Sequence, residues 1–566
     1  MNLNKTKAAI AIGALMITAG CAGKTPANKP DTNTVVPSRP ISVTPGVPVS
    51  VAEQNLPKRE DLKAAAPILP DGRLLSMRDE AFSAIDDRAV AVTKVSFSEN
   101  GIAANGVGCK VDGNVLKIKE AGVYELSGTL SNGQIVVNAG EESTVCLILN
   151  GVNVHNENQS ALVCKKTGKV IVTLAAGTEN VFSDGTGYVF EDEETEPDAT
   201  IFSKVDLIIN GSGALTVNAA YKDAIKCKDA LYMDGGVYRI TAREDGIVGK
   251  DLLYVKSGDF TVTCEGDGLK SSNDTNEILG TVILEDGSFS IQAGKEAIQA
   301  DNSLFVNGGK IVANGRKALL ATKAVAVNGG VLTLTSENDG VHSEDGIGIT
   351  GGVFEISAGD DAIHAAGDLS IAGQTEIHIV ESHEGLEGKT VLVEDGILDI
   401  RAEDDGINAT GGEEAAKRFG HGEASLIAIL GGYITVDADG DGVDSNSAIT
   451  VEGGELLVFG PEASDESAID DKYGFSLNGG TLLCLDSVEM AKAPLETSKQ
   501  HSLSLGLEQK AQKDSTITVW LGEDVLYSLK AKKSFRHVLV SSPAMTSGSQ
   551  IRVDIDGSTV YQGNLR

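Results

Sequence analysis

An acidic residue, then glycine or alanine, then an aliphatic residue recurs about every 22 residues through this chain, and that repeat constrains its fold more than any other feature. Copies begin at Asp223, Asp245, Asp267, Glu296, Lys317, Asp339, Asp361, Glu384, Asp405, Asp441 and Ser467. Nine of the eleven open on Asp or Glu, and all eleven keep a small second residue and an aliphatic third. Self-similarity at this period marks a solenoid, because one unit has no core of its own and stacking supplies it.

A turn ending in glycine follows about twelve residues after the acid, as at Gly235 and Gly236, Gly329 and Gly330, or Gly351 and Gly352. An alternating strand comes next, for example Val237 to Thr241 or Val353 to Ser357. At about 3.3 Å per residue and 4.8 Å between strands, such a unit fits one coil of a parallel β-helix. The third-position aliphatics, Ile225 through Ile469, then stack as an interior ladder. The spacing predicts an all-β chain, with the β-helix over residues 86–494 and an antiparallel β cap or small sandwich over 495–566. Cap strands are expected near Ser515 to Leu521, Val525 to Leu529, His537 to Val540 and Ile551 to Ile555. Insertions interrupt two coils, at Ser271 to Asn276 and at Glu413 to Glu423. No segment has the pattern of a long amphipathic helix.

The N-terminus reads as a processing signal. Lys5 and Lys7 precede the short apolar run Ala8 to Ile17, and Thr18, Ala19, Gly20 and Cys21 form a lipobox. Residues 1–21 are therefore expected to be a lipoprotein signal peptide, with a lipid on Cys21 as the chain's one contact with the membrane. The mature protein is expected outside the cytoplasm, at the cell surface. Nine of the 13 prolines lie between Pro26 and Pro70, so residues 22–85 read as a disordered tether. Six irregularly spaced cysteines remain, Cys109, Cys146, Cys164, Cys227, Cys264 and Cys484, and they read as buried thiols of a stacked core.

A formal charge of −34 argues against nucleic acid or an anionic membrane surface as the main partner, and suits a surface that holds cations. Stacked coils would place the repeat acids roughly 5 Å apart, close enough to repel by about 1 kcal/mol even in water. Such a column is stable when it is solvated, protonated or bound to cations. Hard oxygen ligands suit Ca²⁺, which makes column members such as Asp245, Asp267, Asp339, Asp361 and Asp405 candidate ligands. The competing reading is a row of solvated turn caps, since Asp and Gly favour turns anyway. The densest cluster is Asp437, Asp439, Asp441, Gly442, Asp444 and Asn446. It opens like an EF-hand loop but has Ala448 where a bidentate Glu belongs. Asp267 with Asn273 and Asp274, across the short insertion, is a second candidate.

Support for catalysis is thinner. Acid pairs such as Asp360 and Asp361, or Asp470 and Asp471, are strand neighbours and point to opposite faces. Lys270 could serve as the base of a calcium-dependent polyuronate lyase if its pKa were depressed; a solvated surface lysine is the bland alternative. Aromatic residues make up 4% of the chain, and Tyr221, Tyr232, Tyr238, Tyr254 and Tyr433 could stack on sugars or pack coil edges.

The segments LILNGVNV (Leu147 to Val154), LAAGTENVFSDG (Leu174 to Gly185), IFSKVDLIINGSGALTVN (Ile201 to Asn218) and DGIVGKDLLYVKSGDFTVT (Asp245 to Thr263) occur in order. GDGLKSSND (Gly266 to Asp274) and DGDGVDSNSAITVEGG (Asp439 to Gly454) follow. Over roughly residues 90–566 the chain resembles the bacterial carbohydrate-binding domain-containing family of clostridial cellulose- and pectin-binding surface proteins. The resemblance implies a right-handed parallel β-helix shaped like polysaccharide lyases, bound calcium, and non-catalytic binding of plant-type polysaccharide. By matching motif it implies calcium ligands at Asp245, Asp267, Asp274, Asp439, Asp441 and Asp444. Lys317 and Ser467, where the repeat has an acid, and the insertion in the Asp405 coil depart from that pattern. The expected protein is a monomer that binds acidic glycans such as polygalacturonate, with a structural or adhesive surface role as a further class.

Overall fold

The computed structural model describes residues 70–82, 91–190, 195–410 and 425–565. The third-position aliphatics do form an interior ladder. From Leu116 it passes through Ile135, Leu162, Ile201, Ile225, Ile247, Leu269 and Ile298, in parallel register at each step. It continues through Leu319, Val341, Ile363, Leu386, Ile407, Val443 and Ile469. The fold is an all-β solenoid of about 15 turns of roughly 23 residues, as the repeat predicts. Its first four rungs precede Asp223 and lack the acid: Ala199 stands where Asp223 stands one coil later.

Two further ladders complete each coil. Tyr238, Phe260 and Phe289 stack inside one of them, with ring centroids 4.5 and 4.9 Å apart and planes within 6° of parallel. The small second position of the repeat has a steric cause. A Cβ on Gly246 would lie 2.5 Å from the Gly268 carbonyl oxygen and 2.6 Å from Val262 Cγ1. The corner between ladders brings one coil's backbone against the next, leaving room for at most a methyl group. Small residues also line the neighbouring corner, where Cys164, Ser203, Cys227 and Gly249 lie in successive register. The six described cysteines form no disulfide, and four are buried.

Both ends of the solenoid are closed. The antiparallel pairs Val92–Ser98 with Gly101–Asn105, and Cys109–Asp112 with Val115–Ile118, form its start. At the far end Phe535–Ser541 runs antiparallel to the last coil strand, Phe475–Asp486, and carries Ser502–Ala511 on its other edge. A separate four-stranded antiparallel sheet packs over them, formed by Thr516–Leu521, Asp524–Lys530, Gln550–Ile555 and Ser558–Asn564. The cap core joins Leu457, Phe459, Leu483 and Leu485 of the last coils to Ile517, Val519, Tyr527 and Val553. The four expected cap strands are present; Ser502–Ala511 and Ser558–Asn564 add to them. Capping covers edges that would otherwise pair with other chains.

One segment departs from the tether drawn over 22–85. Gly72–Phe82 is an α-helix whose Leu74 and Ala81 are buried with Tyr232, Tyr254, Ile283 and Phe305 on the outer face of the solenoid. Its N-terminus is ordered by Asp71, whose Oδ1 accepts the Arg73 N–H at 2.8 Å, and the Arg78 guanidinium lies 5.8 Å from the Tyr254 ring centroid. Eleven residues with a mixed pattern do not announce a helix, because at this length tertiary packing rather than propensity stabilises one. The lipobox and Cys21 lie outside the described residues.

Candidate metal centre

The repeat acids do form a column, and in five of them one carboxylate oxygen has a structural task. Asp223 Oδ1 accepts the Asp245 N–H at 3.0 Å, Asp245 Oδ1 the Asp267 N–H at 2.8 Å, and Asp267 Oδ1 the Glu296 N–H at 3.1 Å. Farther along, Asp405 Oδ1 accepts the Asp441 N–H at 2.7 Å, and Asp441 Oδ1 the Ser467 N–H at 2.5 Å. Each carboxylate thus caps a backbone N–H of the next coil at the corner. The second oxygen remains for a cation. Turn capping, one of the two sequence readings, uses only one oxygen of each of these side chains.

What meets that second oxygen changes along the axis. The residue three positions after each acid stands in a column of its own: His342, His364, Glu387, Asn408, Asp444 and Asp470 are consecutive in register. In the N-terminal half the corresponding residues include lysines. Lys226 pairs with Asp198 and Asp223 at 2.7 and 2.9 Å, and Lys270 with Asp245 and Asp267 at 3.1 and 2.5 Å. Lys317, in an acid position, pairs with Asp339, as does His342 at 2.7 Å. His364 pairs with Asp361 at 2.7 Å and with Glu387, and its ring stacks on His342 with centroids 4.9 Å apart. The protein supplies its own counter-ions this far.

This arrangement bears on several of the expected site residues. Lys270 does not meet the condition for a lyase base. Burial opposes its charge, but the hydrogen bond to Asp267 and the field of Asp245 prevail and raise its pKa. The same lysine occupies the free oxygens of Asp245 and Asp267, and Lys317 with His342 occupies Asp339. Asp274 is exposed on the insertion, and no metal-competent group among the described residues includes it. Asp439 pairs with Arg401 of the preceding coil at 2.5 Å and with Lys533 of the cap at 2.6 Å; despite some burial these hydrogen bonds lower its pKa. That pairing joins solenoid to cap, a task no sequence period could announce.

His364 gives a pH-dependent element. Burial alone would lower its pKa, but its hydrogen bonds to Asp361 and Glu387 raise it from 6.5 to about 10. A raised pKa means the folded state holds the proton more tightly than the unfolded one. The stabilisation is full below pH 6.5 and is lost as pH rises through about 10. Thermal unfolding of the protein and of His364→Gln should differ most at pH 6 and converge near pH 10.

Beyond His364 no lysine or histidine stands in that column. Glu387, Asn408, Asp444 and Asp470 replace the lysines and histidines, while the acid column continues through Glu384, Asp405 and Asp441. Burial, with the fields of neighbouring carboxylates adding to it, raises Glu384 to about 8 and Asp405, Asp441 and Asp444 to about 7. Carboxylate oxygens of Asp441, Asp444 and Asp470 lie within 4.8 Å of one another. Lys492 reaches Asp470 from beyond the last coil. Asn408, 6% exposed, donates to Glu384 Oε2 at 2.9 Å, yet its own buried Oδ1 has no hydrogen-bond partner. An unmet carbonyl oxygen beside uncompensated carboxylates is a donor set of the kind Ca²⁺ accepts. Asn408 and Asp470 are not among the candidate ligands read from the sequence because the repeat draws attention to the acid rather than to the residue three places on. The changing identity of that residue is the signal that could have found them.

The tyrosines divide. Tyr238 is inside the solenoid, Tyr232 and Tyr254 lie under the helix Gly72–Phe82, Tyr433 is 44% exposed, and Tyr221 stacks on Tyr188 at 4.3 Å.

Comparison with known proteins agrees in family. A curated relative from Acetivibrio thermocellus, a carbohydrate-binding domain-containing protein, is 40% identical over 220 residues, which span 38% of this chain and 77% of the relative. A solved structure, the polysaccharide lyase-like protein from C. thermocellum in a gadolinium derivative, is 30% identical. It covers 46% of this chain and 99% of its own, with a TM-score of 0.40. The carbohydrate-binding domain-containing family model matches residues 112–362 and 360–497. With most of the solenoid matched, this chain belongs to the carbohydrate-binding domain-containing family.

Proposed function

We propose that the chain is a non-catalytic polysaccharide-binding protein of the cell surface, anchored by a lipid on Cys21, that binds acidic plant-type glycans such as polygalacturonate through Ca²⁺. Family membership supports the polysaccharide, and the lipobox supports the anchor. The observation that carries the calcium reading is the gathering of the Asp441, Asp444 and Asp470 carboxylates, with Asp405 and the unpartnered Asn408 oxygen one coil before them and Lys492 reaching Asp470 alone among them. These carboxylates and Asn408 would hold the ion. Bound Ca²⁺ would supply positive charge where protein and polyuronate would otherwise repel. Asp441 and Asp405 keep one oxygen on the backbone, so their contribution is the remaining oxygen of a rigid corner. The raised Lys270 pKa weighs against the polyuronate lyase alternative.

Affinity electrophoresis of the protein through polygalacturonate and through soluble cellulose derivatives, with Ca²⁺ and with chelator, tests this reading. Calcium-dependent retardation without absorbance from unsaturated uronides is expected. Retardation by neither glycan would overturn it and leave a structural or adhesive role.

A further inference from the structure

Away from the acid ladder, three aromatic side chains gather on the outside of the solenoid. Tyr188 and Tyr221 stack with planes 19° apart, and Phe190 lies 6.2 and 6.5 Å from their centroids. None belongs to the solenoid core, in a chain where aromatics are only 4% of residues. The Tyr188 hydroxyl donates to Asp184 Oδ2 at 2.6 Å, while Asp184 Oδ1 accepts the Ala220 N–H at 2.6 Å. The platform is therefore tied to two successive coils. Between it and the strand Leu162–Cys164 lies a cavity of about 210 Å³, walled by Tyr188, Phe190 and Val163. Gln134, Gln159 and Lys165 line the same space. Gln159 Nε2 donates to the Val189 carbonyl at 3.5 Å, the outer limit of a hydrogen bond, and Lys165 is exposed and makes no ion pair among the described residues.

We propose that this cavity is a sugar subsite taking one pyranose ring of a plant-type glycan, a site separate from the calcium-bearing corner and resting on the polysaccharide-binding reading above. The volume is below the roughly 300–1,000 Å³ of sites for larger ligands, which suits a single ring. A pyranose presents an apolar C–H face and a rim of hydroxyls. Phe190 and Val163 match the face, while Gln134, Gln159 and the Lys165 ammonium match the rim. A uronic ring would add an ion pair with Lys165 that a neutral hexose lacks. The aromatic wall is common to both.

The full chain and its Phe190→Ala and Lys165→Ala variants would be run through polygalacturonate and soluble cellulose derivatives at constant Ca²⁺, with thermal unfolding of each as a check on folding. Phe190→Ala is expected to weaken retention about tenfold, the loss of one aromatic contact. Lys165→Ala, an exposed side chain whose removal leaves the fold intact, should weaken retention on polygalacturonate more than on the neutral glycan if the ring is uronic. Should it weaken both equally, the ring is neutral and Lys165 serves a hydroxyl. Strong retention of the parent protein with both variants unchanged would overturn the subsite and leave the polysaccharide-binding reading standing. Failure of the parent itself to be retained would overturn both.

Discussion

Phe260→Ala is expected to lower stability by about 3–5 kcal/mol, the cost of deleting a buried aromatic and leaving its cavity. Phe260 is 2% exposed and sits between Tyr238 and Phe289 in the interior stack, so its loss removes two aromatic contacts as well as its own burial. Collapse cannot refill the gap easily. The Phe260 strand is fixed by parallel hydrogen bonds to Tyr238 on one side and Phe289 on the other, and the coil spacing is set by the backbone. In a solenoid each coil contacts only its neighbours, so the damage should appear first as local opening. Urea unfolding should show a lowered midpoint, and limited proteolysis should cleave within the neighbouring coils. Val312→Ala, at a site 41% exposed on an outer face, should stay within about 0.5 kcal/mol of the parent. Equal effects from the two substitutions would contradict the stacked-core account.

The double variant Asp441→Asn, Asp444→Asn is expected to abolish stabilisation by calcium while preserving the solenoid. Asparagine keeps the carbonyl oxygen with which Asp441 caps the Ser467 N–H, so the ladder bond survives and the charge is removed. An ion that binds the folded chain alone adds about 2.7 kcal/mol at a concentration a hundredfold above its Kd. Chelation should therefore lower the unfolding midpoint of the parent protein and leave that of the double variant unmoved. Without calcium the variant should be the more stable of the two, because it no longer crowds buried carboxylates raised to about 7. A parent protein indifferent to both calcium and chelator would refute the metal reading of this corner. Asp245→Asn should leave the calcium response intact, since Lys270 already meets that carboxylate.

The period, the inward aliphatics from Ile225 to Ile469 and the small second residue determined the parallel solenoid by themselves, because stacking imposes one geometry on every copy. The end of the β-helix pattern at residue 494 likewise marked the cap. Local pattern failed for Gly72–Phe82, which is a helix because Tyr232 and Tyr254 offer Leu74 and Ala81 a surface. It failed again at the acids. Composition and repeat pointed to a column of carboxylates, yet sequence offered Asp245, Asp267, Asp405, Asp439 and Asp441 alike as candidate calcium ligands. Tertiary structure separated them through what stands opposite: Lys270 for the first two, Arg401 and Lys533 for Asp439, and other carboxylates for Asp405 and Asp441. A repeat fixes which atoms recur along an axis. The field at each recurrence depends on side chains one coil away or, for Lys533, in the cap, and only the folded chain brings those together.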